Sequence, residues 1–317
     1  MIIPNLILFL ISLAVLIKCA GYSIKYSSRL AKVLRLPEFF VSFFIIALIS
    51  VIPEASISIV SALEGEPELG LGTLLGSNVA DLTLVFGIVA LFSSKGIKVK
   101  SKILSNNFFY LILFLFPLIL GFDGKFSRID GGILLLLGLL FYVKIYTDST
   151  RFRKKFNHTK KEPFFKSFIF LIISLAILLL SAMFTVKYAV NFANEIKLPT
   201  VLIGLTILSV GNCLPELIFS IKAVRNNRDG LALGDILGTV ITDATIVLGL
   251  VALISPFTYN PFNIYIMGTA MFLAGVFATI FMKSDKSINK LEGILLIIFY
   301  LLFVVISFSL SNFLKIN

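Results

Sequence analysis

Two stretches decide how this chain is read: Leu69–Ser93, LGLGTLLGSNVADLTLVFGIVALFS, and Leu231–Ser255, LALGDILGTVITDATIVLGLVALIS. Laid together without a gap, they agree at 13 of 25 positions. The shared residues include Gly72, Gly76, Asp81, Thr83 and Gly87, facing Gly234, Gly238, Asp243, Thr245 and Gly249. The same offset of 162 residues carries outward. Pro53-Glu54 meets Pro215-Glu216, Leu36-Pro37 meets Leu198-Pro199, Lys25-Tyr26 meets Lys187-Tyr188, and Ile11–Ala14 meets Ile173–Ala176. Toward the C-terminus Gly132–Leu135 aligns with Gly293–Leu296, at an offset of 161. Shared apolar composition would align Leu, Ile and Val. It would not also align Pro-Glu, Asp and Lys-Tyr in one register over more than 80 residues.

Both stretches are apolar throughout, and so is most of the chain. Of 317 residues, 58% are hydrophobic and 14% charged, with a mean hydropathy of +1.02. A soluble domain averages about 25% charged residues, so an ordinary cytosolic enzyme is excluded. Apolar blocks of 20 residues or more are long enough to cross about 30 Å of hydrocarbon as helices. Ten spans are predicted, near 5–24, 38–63, 67–93, 103–121, 129–147, 165–186, 199–221, 230–255, 261–282 and 291–313. The start, Met1-Ile2-Ile3-Pro4, has no basic leader, so the first block reads as a retained span.

Charge sets the orientation. The net charge is +11, yet the basic residues sit between apolar blocks, which argues for topology and against nucleic-acid binding. The odd-numbered connectors carry 22 Lys and Arg against five in the even connectors and the C-terminal tail. The positive-inside rule therefore puts the odd connectors in the cytoplasm and both termini outside. The longest connector, residues 147–164, holds Arg151, Arg153, Lys154, Lys155, Lys160 and Lys161 and reads as a solvated link with a minor call on anionic lipid. It divides a first five-helix repeat, 1–146, from a second, 165–317. Five is odd, so the second repeat enters from the opposite face. The expected fold is an all-α polytopic membrane protein of ten transmembrane helices arranged as two inverted repeats, the plan of secondary transporters.

Four acids fall near the centres of their spans: Glu54, Asp81, Glu216 and Asp243. Each costs about 2.5–3.5 kcal/mol at mid-bilayer unless compensated, and no Lys or Arg lies at matching depth. Cations or protons must supply the balance. Pro53 and Pro215 have no N–H for the carbonyls of Ile49 and Gly211, and such oxygens beside a carboxylate suit hard cations. Thr73, Ser77 and Asp81 recur every fourth residue on one helical face, as do Asp235, Thr239 and Asp243. Asp235 lies shallower and reads as part of the access path. Gly72, Gly76, Gly234 and Gly238 beside these stripes are expected to admit a close neighbouring helix. Cys19 and Cys213 lie in apolar blocks, and the single histidine, His158, lies in the basic connector, so a disulfide framework, a His-ligated zinc site and a Ser-His-Asp centre are all disfavoured.

The segments Ser50-Val51-Ile52-Pro53-Glu54 with Gly76-Ser77-Asn78-Val79-Ala80-Asp81, and Gly211-Asn212-Cys213-Leu214-Pro215-Glu216 with Gly238-Thr239-Val240-Ile241-Thr242-Asp243, resemble the two alpha-repeats of the cation/Ca²⁺ exchanger superfamily, which includes the prokaryotic Na⁺/Ca²⁺ exchangers. These motifs span about 46–93 and 208–255. The resemblance implies a secondary-active antiporter in a prokaryotic plasma membrane that exchanges Ca²⁺ or a similar divalent cation for Na⁺ by alternating access. In it the first and sixth spans slide against an eight-helix core. It implies that Glu54 and Glu216 chelate Ca²⁺, and that Ser77, Asp81, Thr239 and Asp243 complete that site and its Na⁺ neighbours. Ser50, Asn212, Ile49 and Gly211 belong to the same motifs. Ca²⁺ and Na⁺ are then transported ions, and inorganic cations and membrane lipids the partners, with no nucleic acid and no obligate protein partner. The chain departs from the pattern at Val51 and Cys213, where Na⁺-coupled relatives carry a hydroxyl, so H⁺ stands as the alternative coupling ion. Two other classes share features with the sequence: a cation channel, and an intramembrane aspartyl protease through Ala232-Leu233-Gly234-Asp235, which lacks the first glycine of that motif.

Overall fold

The computed structural model describes residues 2–34, 36–63, 67–99, 109–151, 164–195, 209–259 and 261–316. The chain is helical nearly throughout. Its principal helices are α1 (Ile2–Leu34), α2 (Glu38–Ser50), α3 (Ile52–Leu63), α4 (Gly70–Phe92), α5 (Phe109–Leu120), α6 (Arg128–Arg151), α7 (Phe164–Glu195), α8 (Ser209–Asn212), α9 (Leu214–Arg225), α10 (Asp229–Ile254), α11 (Pro261–Ser284) and α12 (Lys290–Ile316). Among the described residues, seven helical stretches are long and apolar enough to cross a membrane, within α1, α4, α6, α7, α10, α11 and α12. The other three expected spans are shorter. The expected span 38–63 is two helices meeting at Val51, and 103–121 is described only from Phe109. Within 199–221, residues 199–208 lie outside the described residues, and the rest breaks at Cys213. Helix α6 runs on to Arg151, past the expected start of the basic connector, whose residues 152–163 also lie outside the described set.

Both interruptions have one cause. Pro53 and Pro215 cannot donate to the carbonyl four residues back, and a proline ring clashes with that carbonyl. Each helix therefore stops and restarts two residues before its proline, with Cys213 at φ −87°, ψ 7°. The new helices are anchored by Ala55 N–H donating to Val51 O and Leu217 N–H to Cys213 O, each at 2.9 Å.

The chain forms two compact units, each drawing on both halves of the sequence. The first comprises Met1–Ser50 and Ile145–Gly238. Its spine is α1 packed antiparallel on α7. Asn5 bonds Glu195 at 3.1 Å, Ser23 bonds Ser174 at 3.0 Å, and Tyr26 stacks on Phe170 at 5.2 Å, the numbers rising along one helix as they fall along the other. Lys222 of α9 donates to Ile17 O at 2.7 Å and lies over Gly21, tying α9 to the middle of α1. At the other end of this unit Arg228 pairs with Glu38 at 2.6 Å.

The second unit comprises Val51–Lys144 and Thr239–Asn317. Backbone meets backbone there at two glycine crossings. A Cβ on Gly87 would stand 2.6 Å from Gly293 O, and one on Gly131 would stand 2.7 Å from Gly249 O. Such contacts replace the hydrophobic effect, which cannot draw helices together in lipid. The helix starts of α6 and α12 are capped alike: Ser127 N–H donates to Asp130 at 2.8 Å and Asn289 N–H to Glu292 at 2.8 Å, with return bonds from the Asp130 and Glu292 amides. These reciprocal caps satisfy end donors that the helix leaves over. Gly131 with Gly293, and the two caps with each other, stand at the offset of 162, so the register set by the central stretches holds to α12 and the shift to 161 is not needed. Two short strand pairs, Ile97–Lys98 with Ser287–Ile288 and Lys125–Phe126 with Phe257–Thr258, tie connectors together. Beside the second pair the buried Tyr259 hydroxyl donates to Gly121 O at 2.5 Å, and burial pushes its phenol well above the ordinary value, keeping it a donor.

Candidate cation site

Each unit presents a broken helix with a carboxylate in the first turn after the break. In the first unit α2 ends at Ile49-Ser50, α8 ends at Gly211-Asn212, and α9 begins with Pro215 and Glu216. A helix N-terminus is the electropositive end and suits a carboxylate. Glu216 is nonetheless only 1% exposed. The Ser50 hydroxyl, 5% exposed, donates to Ala47 O at 3.2 Å.

Helix α10 is drawn against α2 by two glycines. A Cβ at Gly234 would collide with Phe39 O and stand 2.8 Å from Ser42 Cβ; one at Gly238 would stand 2.6 Å from Ala47 Cβ. Ser42 fixes the register by donating to Leu231 O at 2.6 Å. This packing carries Asp235 into the interior, 1% exposed, where it lines one small cavity with Glu216, Ser50 and Ile49. Asp235, read from its depth along the helix as part of the access path, is buried here because the helix lies so close to its neighbour. The spacing of Asp235, Thr239 and Asp243 on one face was the signal available for it.

In the second unit Glu54 occupies the first turn of α3, 2% exposed. Gly70 admits close contact here, its ideal Cβ falling 2.9 Å from Ser58 Cα, and Ser58 donates to Gly70 O at 3.1 Å. Ser77 (6%), Asp81 (1%), Thr239 (1%) and Asp243 (0%) are all buried. The helices bearing Glu54 and Ser77 pack on one another and on the turn that holds Asp243. Asp81 opens the π-helical turn Asp81–Val85 and Asp243 is the second residue of the turn Thr242–Val247; Phe86 N–H reaches Asp81 O and Leu248 N–H reaches Asp243 O. Thr83 and Thr245 bond back to Val79 O and Ile241 O at 2.5 and 2.6 Å. Such widened turns re-aim side chains and recur at functional sites. Sequence spacing did not reveal them, nor the bond between Tyr142 and Thr242 hydroxyls at 2.5 Å, nor the fully buried Asn78, whose amide donates to Met271 Sδ at 3.6 Å.

The close approach expected at Gly72 and Gly76 has no counterpart among the described residues, where a Cβ at Gly76 would meet nothing within 4 Å and one at Gly72 would touch only Met267 Cε at 3.8 Å. Close helix approach belongs to Gly234 and Gly238, where a neighbouring backbone occupies the space. Among the described residues, no group of three or more His, Cys, Asp and Glu side chains stands ready to hold a metal ion.

Apolar helices interrupted beside buried carboxylates define a membrane protein that handles inorganic cations. The sodium/calcium exchanger protein family matches residues 4–146 and 166–309, and the chain belongs to that family. It is 25% identical to the sodium/calcium exchanger MaX1 of Methanosarcina acetivorans, over 97% of this chain and 99% of that one. It is 29% identical to the inner membrane protein YrbG of Escherichia coli, over 80% and 81% of the two chains. A solved structure of the sodium-calcium exchanger NCX_Mj, soaked with Na⁺ and Sr²⁺, superposes with a TM-score of 0.81 at 25% identity and covers 96% of this chain and 99% of that one.

Proposed function

We propose that this chain is a secondary-active antiporter that moves Ca²⁺, or a similar divalent cation, against Na⁺ by alternating access. The observation that carries the reading is the twofold occurrence of one device: a helix broken at Val51 or Cys213, with a buried glutamate, Glu54 or Glu216, in the next first turn. Family membership and the matched relatives support the ion pair. Glu54, Glu216, Asp81 and Asp243 supply the negative charge. Ser50, Ser77, Thr239, Asn212 and the carbonyls of Ile49 and Gly211 supply neutral oxygens, the mixture that hard cations take. Ten spans in two inverted five-helix repeats, 1–146 and 165–317, joined by a basic cytoplasmic connector with both termini outside, form the frame. The recurrence of caps and π-turns at one offset, together with the distribution of Lys and Arg, supports it.

The mechanism follows from charge. Empty, buried carboxylates repel one another and are costly to carry through hydrocarbon. Loaded with Ca²⁺ or with monovalent cations, the site is compensated, so only loaded forms reorient and the two fluxes are coupled. The test is reconstitution of the purified protein in sealed vesicles with radiolabelled Ca²⁺. Uptake driven by an outward Na⁺ gradient and lost in Glu54→Gln and Glu216→Gln is the expected result. Uptake that responds only to a pH gradient would transfer the role of driving ion to H⁺, and Na⁺-independent, non-saturating flux would make the protein a channel.

A further inference from the structure

Glu216 and Asp235 line one cavity inside the first unit, with Ser50, Ile49 and Pro215, among otherwise aliphatic and aromatic side chains. Its water-sized free space is about 10 Å³, room for one small sphere. Both acids are 1% exposed; among the described residues neither oxygen of Asp235 has a hydrogen-bond partner, and the Ser50 hydroxyl lies beside Glu216. Buried polar groups are nearly always satisfied, and an unsatisfied acid pair out of water is among the costliest arrangements a fold can hold. Two such groups facing one ion-sized space are balanced either by protons or by a cation held between them.

The dimensions and donors select its class. Ca²⁺ takes six to eight oxygens, whereas among the described residues this lining offers two carboxylates and one hydroxyl from side chains. A single, largely dehydrated monovalent ion matches both the volume and the count. Asp235 stands outside the Pro-Glu and Gly-x-x-x-x-Asp segments on which the antiporter reading relies; its counterpart in the first half of the chain is Thr73.

We propose that Asp235 is itself a cation ligand, and that with Glu216 and Ser50 it forms a monovalent-cation site taking Na⁺. The proposal rests on the antiporter reading through Glu216 but concerns a residue that reading does not use. Asp235 would give the Glu216 side of the molecule a second negative charge within reach of the same ion, so that Na⁺ is held by a carboxylate pair and not by hydroxyls at the positions occupied by Val51 and Cys213.

The test is direct binding of radiolabelled Na⁺ to the purified full-length protein in detergent, with displacement of bound radiolabelled Ca²⁺ by Na⁺ as the second readout. Asp235→Asn is expected to bind one Na⁺ fewer per chain and to need roughly tenfold more Na⁺ to displace Ca²⁺, the loss of one charge-assisted contact. Asp235→Glu, which keeps the charge, is expected to restore part of both. An unchanged Na⁺ stoichiometry in Asp235→Asn overturns the proposal. Should that variant not fold, wild-type crystals soaked in Tl⁺ decide: anomalous density between Glu216 and Asp235 supports the site, and an empty cavity overturns it. Full exchange by Glu216→Gln would instead defeat the antiporter reading itself, so the two failures are separable.

Discussion

The region around Glu216 and the region around Glu54 are built on one plan and differ in their surroundings. In both, a proline two residues after the break ends one helix and starts another, and the glutamate sits in the new first turn, buried. Around Glu216, α10 lies so close to α2 that Gly234 and Gly238 leave no room for a Cβ, and a second acid, Asp235, is pressed into the same cavity. At the corresponding positions near Glu54 the glycines are Gly72 and Gly76, which among the described residues meet only a flexible methionine or nothing, and the residue in place of the acid is Thr73. A duplicated segment can thus keep its backbone device and its main ligand while the glycines of one copy serve packing and those of the other do not. The two glutamates are then expected to be equally indispensable, and their neighbours unequal.

The largest effect tests the equality. Glu54→Gln and Glu216→Gln should each reduce Na⁺-driven Ca²⁺ uptake to background, since removing one carboxylate from a buried charge cluster costs about 3–5 kcal/mol, on the order of a hundredfold or more in affinity. Near-normal uptake by one of the two variants would show that only one copy of the device handles the ion.

Next in size is the glycine contrast. Gly234→Ala and Gly238→Ala should each destabilise the detergent-solubilised protein by about 1–3 kcal/mol through overpacking against Phe39 and Ala47. Gly76→Ala should be neutral or stabilising by up to about 1 kcal/mol, because alanine is the better helix former and meets no neighbour. Thermal unfolding followed by circular dichroism compares the three. Equal destabilisation at Gly76 would mean that a neighbouring helix approaches there during the cycle.

A third pair should be symmetric. Ser127→Ala and Asn289→Ala remove matching caps from α6 and α12, and each should cost about 1 kcal/mol. A markedly larger loss at one end would show that the two helix starts carry unequal shares of the fold.

Much of this was legible in the residues themselves. The breaks follow from Pro53 and Pro215, whose chemistry acts locally, and the burial of Glu54, Asp81, Glu216 and Asp243 follows from acids placed mid-span. What escaped depends on which element lies opposite. Gly72, Gly76, Gly234 and Gly238 look alike along the chain, yet among the described residues only the latter two meet a neighbouring backbone. The crossings of Gly87 with Gly293 and of Gly131 with Gly249 join residues far apart in sequence, and no local pattern names the partner. The burial of Asp235 belongs with these: its depth along α10 is readable from the sequence, but the nearness of α2 is not. The π-turns leave no mark in hydropathy, because they shift hydrogen bonds without changing which residues are apolar.

The smallest expected effect concerns a contact that only the Glu216 side possesses. Arg228 and Glu38 pair at 2.6 Å with 39% and 24% of their side chains exposed. At the corresponding offset the other copy has Glu66 and Thr200, which cannot form such a pair. An exposed ion pair is worth about 0–1 kcal/mol and is screened by salt, so Arg228→Ala, Glu38→Gln and the double variant should yield a coupling energy of no more than about 0.5 kcal/mol at physiological ionic strength, falling further in higher salt. Transport discriminates more finely than stability. If the pair is only a surface contact, exchange rates should follow wild type in all three variants and at all salt concentrations. A rate that rises when either partner is removed, and equally in the double variant, would show that this contact holds the Glu216 side in one of its two access states. The asymmetry between the halves would then extend from ion binding to gating.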